Sequence, residues 1–72
     1  MLTEKQVKLL EELGFSYRHD KIISFYVKGY GKYKGNGDLI VYENGGFNIC
    51  CSSCVYEEIV ADLAKLKEGG IE

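Results

Sequence analysis

The hydrophobic pattern of this 72-residue chain changes its period twice, and that change constrains the fold more than any other feature. In residues 2–13 and 55–66, apolar side chains recur at spacings of three and four, as they do on one face of an α-helix. Residues 15–49 instead alternate between apolar and polar side chains, as half-buried β-strands do. The pattern therefore predicts two amphipathic helices that flank a group of antiparallel strands.

The first helix has residues that are typical of both a start and an end. Thr3 is a good N-cap residue, and Gln6 follows three positions later, where its side chain can reach back to the backbone of the cap. Gly14 suits the left-handed conformation that ends many helices, and Phe15 can then fold back onto the last turns. A helix over residues 3–13 is therefore predicted.

Four segments of the middle region are predicted to be strands, joined by short connections. The predicted strands are residues 15–18, 22–28, 38–43 and 47–50. The predicted connections are a tight turn at 19–21, a flexible connection or the end of a long hairpin at 29–37, and a hairpin turn at 44–46.

A second helix is predicted from Ser52 or Ser53 to about Glu68. Either serine can accept a hydrogen bond from a backbone N–H at the start of the helix. Glu57 and Glu58 lie in the first turns, where the helix dipole favours negative charge. Two glycines follow Glu68 and are suited to end the helix.

These elements predict an α+β fold with the order helix, three- to four-stranded antiparallel meander, helix, and with both helices on one face of the sheet. The chain is too short for two separate cores, so a single domain is expected. In the second strand we expect Ile23, Phe25 and Val27 to face the core, and Tyr26 and Lys28 to face away from it. The predicted core consists of Leu2, Leu10, Leu13, Ile23, Phe25, Val27, Leu39, Val41, Phe47, Ile49, Ile59, Leu63 and Leu66.

The sequence has no feature typical of a membrane protein. No apolar run approaches the roughly 20 residues that cross a bilayer, and the chain does not start with the basic and then apolar order of a signal peptide. We therefore expect a cytoplasmic protein with no membrane partner. A core of this size leaves a small margin of stability, so self-association into a homodimer is also expected.

Positive charge and aromatic rings are concentrated in residues 15–37. This region holds five basic residues against one acidic residue, although the net charge of the whole chain is −2. It also holds six of the nine Tyr and Phe residues. We expect its side chains between residues 26 and 34 to project outward together as a contact patch. The candidate binding residues are Tyr26, Lys28, Tyr30, Lys32, Tyr33 and Lys34.

Recognition of a protein is the use that best fits this hairpin. Tyrosine anchors beside lysines suit an acidic protein partner or a second copy of the chain. We therefore expect a small binding module for a protein partner, of which a phage or accessory inhibitor of a host factor would be one example. A purely structural use stays open as well, because exposed lysines keep the edges of many sheets from pairing with other chains.

Nucleic-acid binding through the same hairpin is the alternative. Bases would stack on Tyr30 and Tyr33, and the neighbouring lysines would contact phosphates. Glu57, Glu58 and Asp62 of the second predicted helix would repel a polyanion that lay near them. Nucleic acid is therefore ranked slightly below protein.

Three cysteines lie where the last strand meets the second helix. Together with His19, the residues Cys50, Cys51 and Cys54 are the only Cys and His residues of the chain, and so they are the candidate ligands for zinc. Adjacent Cys50 and Cys51 point to opposite faces of a strand, and His19 is predicted on a distant turn. A metal-binding cysteine cluster is therefore ranked only as the second alternative, below nucleic-acid binding, and no cofactor is expected.

Catalytic motifs are absent from the sequence. The chain has no G-x-S-x-G and no phosphate-binding Gly-Lys-Ser loop, and His19 has Asp20 beside it but no recognisable nucleophile. We therefore expect a protein without enzymatic activity.

Overall fold

The structure is a computed structural model, and it describes residues 1–51 and 53–71, without the side chain of Ser53. The order of elements is the predicted one, helix, strands, helix. In chain order the elements are helix α1 (Glu4–Glu12), strands β1 (Ser16–Asp20), β2 (Ile23–Tyr30), β3 (Gly37–Tyr42) and β4 (Phe47–Cys51), a 3₁₀ turn (Ser53–Val55) and helix α2 (Tyr56–Glu68).

The four strands form an antiparallel sheet in the order β1-β2-β3-β4, so that each strand pairs with its neighbour along the chain. Lys21 and Ile22 connect β1 to β2, and the predicted turn at 19–21 is wrong because His19 and Asp20 belong to β1. Lys21 adopts a φ of 49°, a left-handed conformation that is uncommon for lysine. The sequence therefore does not reveal where this turn falls.

The hairpin of β2 and β3 extends into the glycine-rich stretch. Gly29 and Tyr30 are still part of β2, and Tyr30 pairs with Gly37 at the start of β3. Residues 31–36 connect the two strands and are called the β2–β3 loop. Of the two interpretations of this stretch, the end of a long hairpin is confirmed.

The predicted boundaries of α1 are confirmed. The Thr3 hydroxyl accepts a hydrogen bond from the Gln6 N–H at 3.2 Å, and the Gln6 side chain accepts one from the Thr3 N–H at 2.8 Å. Gly14 has a φ of 95°, and the Phe15 N–H donates to the Leu10 carbonyl at 3.0 Å. These bonds satisfy backbone groups that a helix end otherwise leaves unpaired.

Helix α2 ends as predicted but begins differently. Val55 occupies the N-cap position without a side-chain hydrogen bond, while Ser52 and the side chain of Ser53 lie outside the described residues. At the other end, the Ile71 N–H donates to the Leu66 carbonyl at 3.0 Å beyond the two glycines. In the described part of the chain, neither helix is long and apolar enough to cross a membrane.

One core lies between the two helices and one face of the sheet. Its buried members are Leu10, Phe15, Tyr30, Leu39, Val41, Val55, Ile59, Leu66 and Ile71. The partly buried residues packed against it are Leu2, Leu9, Leu13, Tyr26, Phe47, Ile49 and Leu63. Both helices therefore cover the same face of the sheet, as predicted, and this face is called the inner face.

The side of β2 that faces the core is opposite to the predicted side. Tyr26 pairs with Val41 and Lys28 pairs with Leu39, and directly paired residues lie on the same face of a sheet. Because Leu39 and Val41 are fully buried, Tyr26 and Lys28 are on the inner face. The residues wrongly predicted in the core are on the outer face: Ile23, Phe25 and Val27.

The reason for this error is that both sides of β2 carry large side chains. When both sides are large, the alternation of apolar and polar residues does not identify which side is buried. The pairing of β2 with β3 determines it. Tyr26 and Tyr30 have rings that fill a core and hydroxyls that need a polar partner, so a polar classification underestimates how readily they are buried.

Candidate binding site

The candidate hairpin divides into a stem that faces the helices and a loop that faces solvent. Three of the six candidate residues lie on the inner face of β2: Tyr26, Lys28 and Tyr30. The other three lie in the β2–β3 loop and are exposed: Lys32, Tyr33 and Lys34. The expectation that all six project outward is therefore corrected for the three residues of the stem.

Asp62 of α2 joins the stem to the helix. Its Oδ2 atom accepts a hydrogen bond from the Tyr30 hydroxyl at 2.6 Å and a second from the Lys28 Nζ at 2.6 Å. Tyr30 is 5% exposed and Asp62 is 9% exposed. A buried carboxylate is costly unless donors satisfy it, and here one of the two donors is a cation. The positive charge of Lys28 is thus paired with a carboxylate of the protein itself.

The two tyrosines of the stem are held in the protonated state. Burial, followed by the hydrogen bond to Asp62, raises the pKa of Tyr30 well above its ordinary value of 10. Burial, followed by the nearby Tyr17 and Glu43, raises the pKa of Tyr26. The rings of Tyr17 and Tyr26 also pack with their centroids 5.2 Å apart. Tyr30 belongs to the core and Tyr26 packs against it, so both stem tyrosines are parts of the fold.

The β2–β3 loop has a defined shape. The Lys34 N–H donates to the Gly31 carbonyl at 3.1 Å, and the Asn36 N–H donates to the Tyr30 carbonyl at 3.0 Å. The Lys34 carbonyl packs so closely on Gly29 that a Cβ atom there would lie 2.6 Å from it. Gly29 therefore allows the loop to fold back over the end of β2.

The loop presents one aromatic ring between two cations. The side chain of Tyr33 is 84% exposed, and the Lys32 Nζ lies 5.6 Å from the centroid of its ring. Among residues 1–51 and 53–71, no carboxylate forms a salt bridge with Lys32 or Lys34. The ring and both charges are therefore available to a partner.

A cleft of about 410 Å³ separates the loop from α2. Lys34 lines it from the loop, Lys28 and Tyr30 line it from β2, and Glu58 and Asp62 line it from α2. Its walls thus carry two lysines and two carboxylates. The cleft does not present positive charge alone, and so it does not favour a polyanion.

The zinc candidates do not come together. His19 lies in β1 and shares a 2.6 Å hydrogen bond with Ser24, whereas Cys50 and Cys51 lie in β4 at the opposite edge of the sheet. Three strand spacings of roughly 4.8 Å separate these edges. Cys54 follows in the 3₁₀ turn, where its Sγ atom accepts a hydrogen bond from the Asn36 side chain at 3.5 Å.

The cysteines also lack the arrangement of a metal site. No group of three or more His, Cys, Asp or Glu side chains within residues 1–51 and 53–71 is placed to hold a metal ion. The three cysteines are exposed. The order of the strands places His19 at the opposite edge of the sheet from the cysteines, too far away to be a fourth ligand.

Asp62 has a structural role that the sequence did not predict. Besides the predicted repulsion of a polyanion, it anchors the stem of the hairpin. A clue lies in its spacing, because it follows Ile59 by three residues and precedes Leu66 by four. A carboxylate on the apolar side of a helix indicates a buried donor, although the spacing cannot identify that donor.

Comparison with known proteins adds no relative. No protein-family model, curated protein or solved structure matches this chain significantly.

Proposed function

We propose that this protein is a small non-enzymatic binding module that recognises a protein partner through the β2–β3 loop. The observation that carries the proposal is the exposure of Tyr33, at 84%, between Lys32 and Lys34 on a loop with a defined shape. The three loop residues are the part of the predicted patch that remains on the surface.

A tyrosine in this position suits the centre of an interface. Its ring buries a large area while few torsions are lost, and its hydroxyl can bond to the partner. Because the loop is held by backbone hydrogen bonds, little further ordering is needed on binding. Lys32 and Lys34 would attract an acidic surface and increase the rate of encounter.

The geometry favours protein over nucleic acid. Stacking along a single strand needs several exposed rings, but Tyr30 is buried and Tyr33 is left as the exposed tyrosine of the hairpin. Glu58 also lines the adjacent cleft, where it would repel phosphates. A protein partner can place an acid at the lysines and a different group near Glu58.

A capture experiment with matched variants tests the proposal. The immobilised chain is incubated with native lysate of its source, with and without nuclease, and the bound material is compared with that of Tyr33→Ala and Lys32→Glu. We expect a protein that survives nuclease treatment and is lost with both variants. Loss of a tyrosine anchor costs about 2 kcal/mol or more, which is on the order of a 30-fold loss of affinity.

Lys5→Glu is the matched control, because Lys5 is an exposed lysine of α1 outside the hairpin. This variant should capture the same protein as the unaltered chain. A captured protein that disappears with nuclease would replace the proposal with nucleic-acid binding. A protein that is retained by both loop variants would place the interface elsewhere.

A further inference from the structure

Strand β4 presents an open edge to solvent. It is the last strand of the sheet, and the Tyr42 N–H donates to the Gly46 carbonyl at 2.8 Å at the turn before it. In an antiparallel pair of strands, every second residue bonds to the neighbouring strand. Because Gly46 bonds to Tyr42, the residues Phe47, Ile49 and Cys51 direct their backbone N–H and C=O groups away from β3. Within residues 1–51 and 53–71, no backbone group bonds to these outward N–H and C=O groups.

The two edges of the sheet differ in their protection against pairing. Strand β1 carries Arg18, His19 and Asp20, and charged side chains on an edge discourage other chains from pairing with it. Strand β4 has the sequence Phe-Asn-Ile-Cys-Cys and carries no charged residue. The β4 edge is therefore the one at which another strand can add without meeting charge.

An apolar flank of α2 borders the same edge. The Lys67 Nζ lies 6.0 Å from the ring centroid of Phe47, so the side of α2 that carries Lys67 faces β4. Val60 and Tyr56 precede Lys67 by seven and eleven residues and therefore lie on that side of the helix. Their side chains are 40% and 53% exposed, so this side of α2 adds apolar surface beside the open strand.

We propose that two copies of this chain associate by antiparallel pairing of their β4 strands, with the apolar flanks of their α2 helices in contact. The product is a continuous eight-stranded sheet with two-fold symmetry. In the register centred on Ile49, the backbone of Phe47 in one copy pairs with that of Cys51 in the other. Asn48 then lies opposite Cys50 of the second copy on the outer face.

Charge complementarity favours a second copy as the occupant of this edge. Helix α2 returns along β4, with Tyr56 just after the end of that strand and Lys67 beside its start. The two-fold axis therefore brings Lys67 of one copy toward Tyr56 and Glu57 of the other, where a cation meets a ring and a carboxylate. Val60 lies nearer the axis and meets its own equivalent.

The expected affinity is modest, because only a five-residue strand edge and a few apolar side chains take part. Weak complexes bury less surface than the roughly 1,200–2,000 Å² of stable specific complexes. We therefore expect a dimer with a dissociation constant on the order of micromolar. This dimer leaves the β2–β3 loop exposed, so it is independent of the proposed function.

Sedimentation equilibrium of the full chain across a range of concentrations tests the dimer. The unaltered chain should shift from monomer to dimer, and Val60→Glu and Asn48→Lys should each weaken the association at least tenfold. Both residues are exposed, and urea unfolding will confirm that the variants fold. Ser16→Lys places the same charge on the β1 edge and should leave the dimer unchanged.

Cross-linking tests the register. In a background with Cys51→Ser and Cys54→Ser, the change Asn48→Cys should give a disulfide-linked dimer after mild oxidation, because position 48 lies opposite Cys50 of the second copy. The background alone should stay monomeric on a non-reducing gel. A monomer at all concentrations, or a dimer indifferent to both Val60→Glu and Asn48→Lys, would overturn the proposal; cross-linking through Cys50 alone would overturn the register.

Discussion

A single carboxylate oxygen of Asp62 holds two side chains of β2 against helix α2. It accepts bonds from both Tyr30 and Lys28, and this pairing draws a cation and a ring of the hairpin into the fold. Lys28 also lies 5.1 Å from the centroid of the Tyr30 ring, which adds a cation–π contact. At the scale of residues, composition alone therefore does not distinguish a binding group from a group that stabilises the fold.

The change Tyr30→Phe tests the structural role of this hydroxyl. It removes a donor from a buried carboxylate, and hydrogen bonds to charged groups contribute about 1.5–3 kcal/mol. The free energy of unfolding should fall by about that amount in urea titrations. The matched change Tyr33→Phe alters an exposed ring and should change stability by less than about 0.5 kcal/mol. Equal effects of the two changes would contradict the assigned role of Tyr30.

Alkaline pH should destabilise the protein through Tyr30. In the unfolded chain this group ionises near pH 10, whereas its raised pKa keeps it protonated in the folded state. The unfolded state then binds fewer protons than the folded state. Stability that is fully present below about pH 10 is therefore lost as pH rises, by up to about 1.4 kcal/mol per pH unit for this group.

Urea unfolding between about pH 9 and pH 11 measures this dependence. Tyr30→Phe should make the curve of stability against pH flatter, because the ionising group is gone. Tyr33→Phe leaves Tyr30 in place and should keep the steeper curve. A wild-type curve as flat as that of Tyr30→Phe would show that ionisation of Tyr30 does not cause the loss of stability at alkaline pH.

At the scale of elements, the close approach of β3 and β4 depends on Gly37, the first residue of β3. Gly37 pairs with Cys51, and a Cβ atom at position 37 would lie 2.7 Å from the Cys51 Cβ and 2.9 Å from its Cα. Real contacts of this kind are not found at such distances, so the strands would have to separate. A side chain at position 37 would therefore disturb both the hairpin and the β4 edge.

The change Gly37→Ala should lower the free energy of unfolding by about 1–3 kcal/mol, the usual cost of overpacking. Gly35→Ala is the matched control, since a Cβ atom at position 35 meets nothing within 4 Å. Its effect should stay within about 0.5 kcal/mol. Urea unfolding of both variants measures the difference, and a Gly37→Ala variant as stable as the control would contradict the close approach of the strands.

At the scale of the whole molecule, the architecture has one covered face and one open face. Both helices pack on the inner face, and within the described residues no element covers the outer face. This outer face nevertheless carries large apolar groups, and Phe25 and Tyr42 pack edge to face with their ring centroids 6.5 Å apart. The apolar residues of the outer face in β2 and β3 are Ile23, Phe25, Val27, Ile40 and Tyr42.

Neighbouring residues of β3 should therefore differ sharply in their tolerance of a polar group. Val41 is fully buried on the inner face, whereas Ile40 is half-buried on the outer face. Val41→Thr buries a hydroxyl and should cost about 1–3 kcal/mol, while Ile40→Thr should cost less than about 1 kcal/mol. Urea unfolding of the two variants measures this, and the reverse order would contradict the assignment of faces.

Local sequence determined the elements and most of their boundaries. Thr3, Gln6 and Gly14 define the ends of α1 through bonds between residues a few positions apart, and such contacts can be anticipated from sequence alone. The same holds for the alternating strands and for the glycines after α2. The α+β order of helix, antiparallel strands and helix followed from these local patterns.

Tertiary structure decided which face of β2 is buried and which half of the hairpin remains available. The bond between Lys28 and Asp62 joins residues 34 positions apart, and no local pattern specifies that contact. The pairing of Tyr26 with Val41 likewise depends on the loop that aligns the two strands. Strand register and helix docking are properties of the assembled chain, because each arises from packing between segments that are distant in sequence.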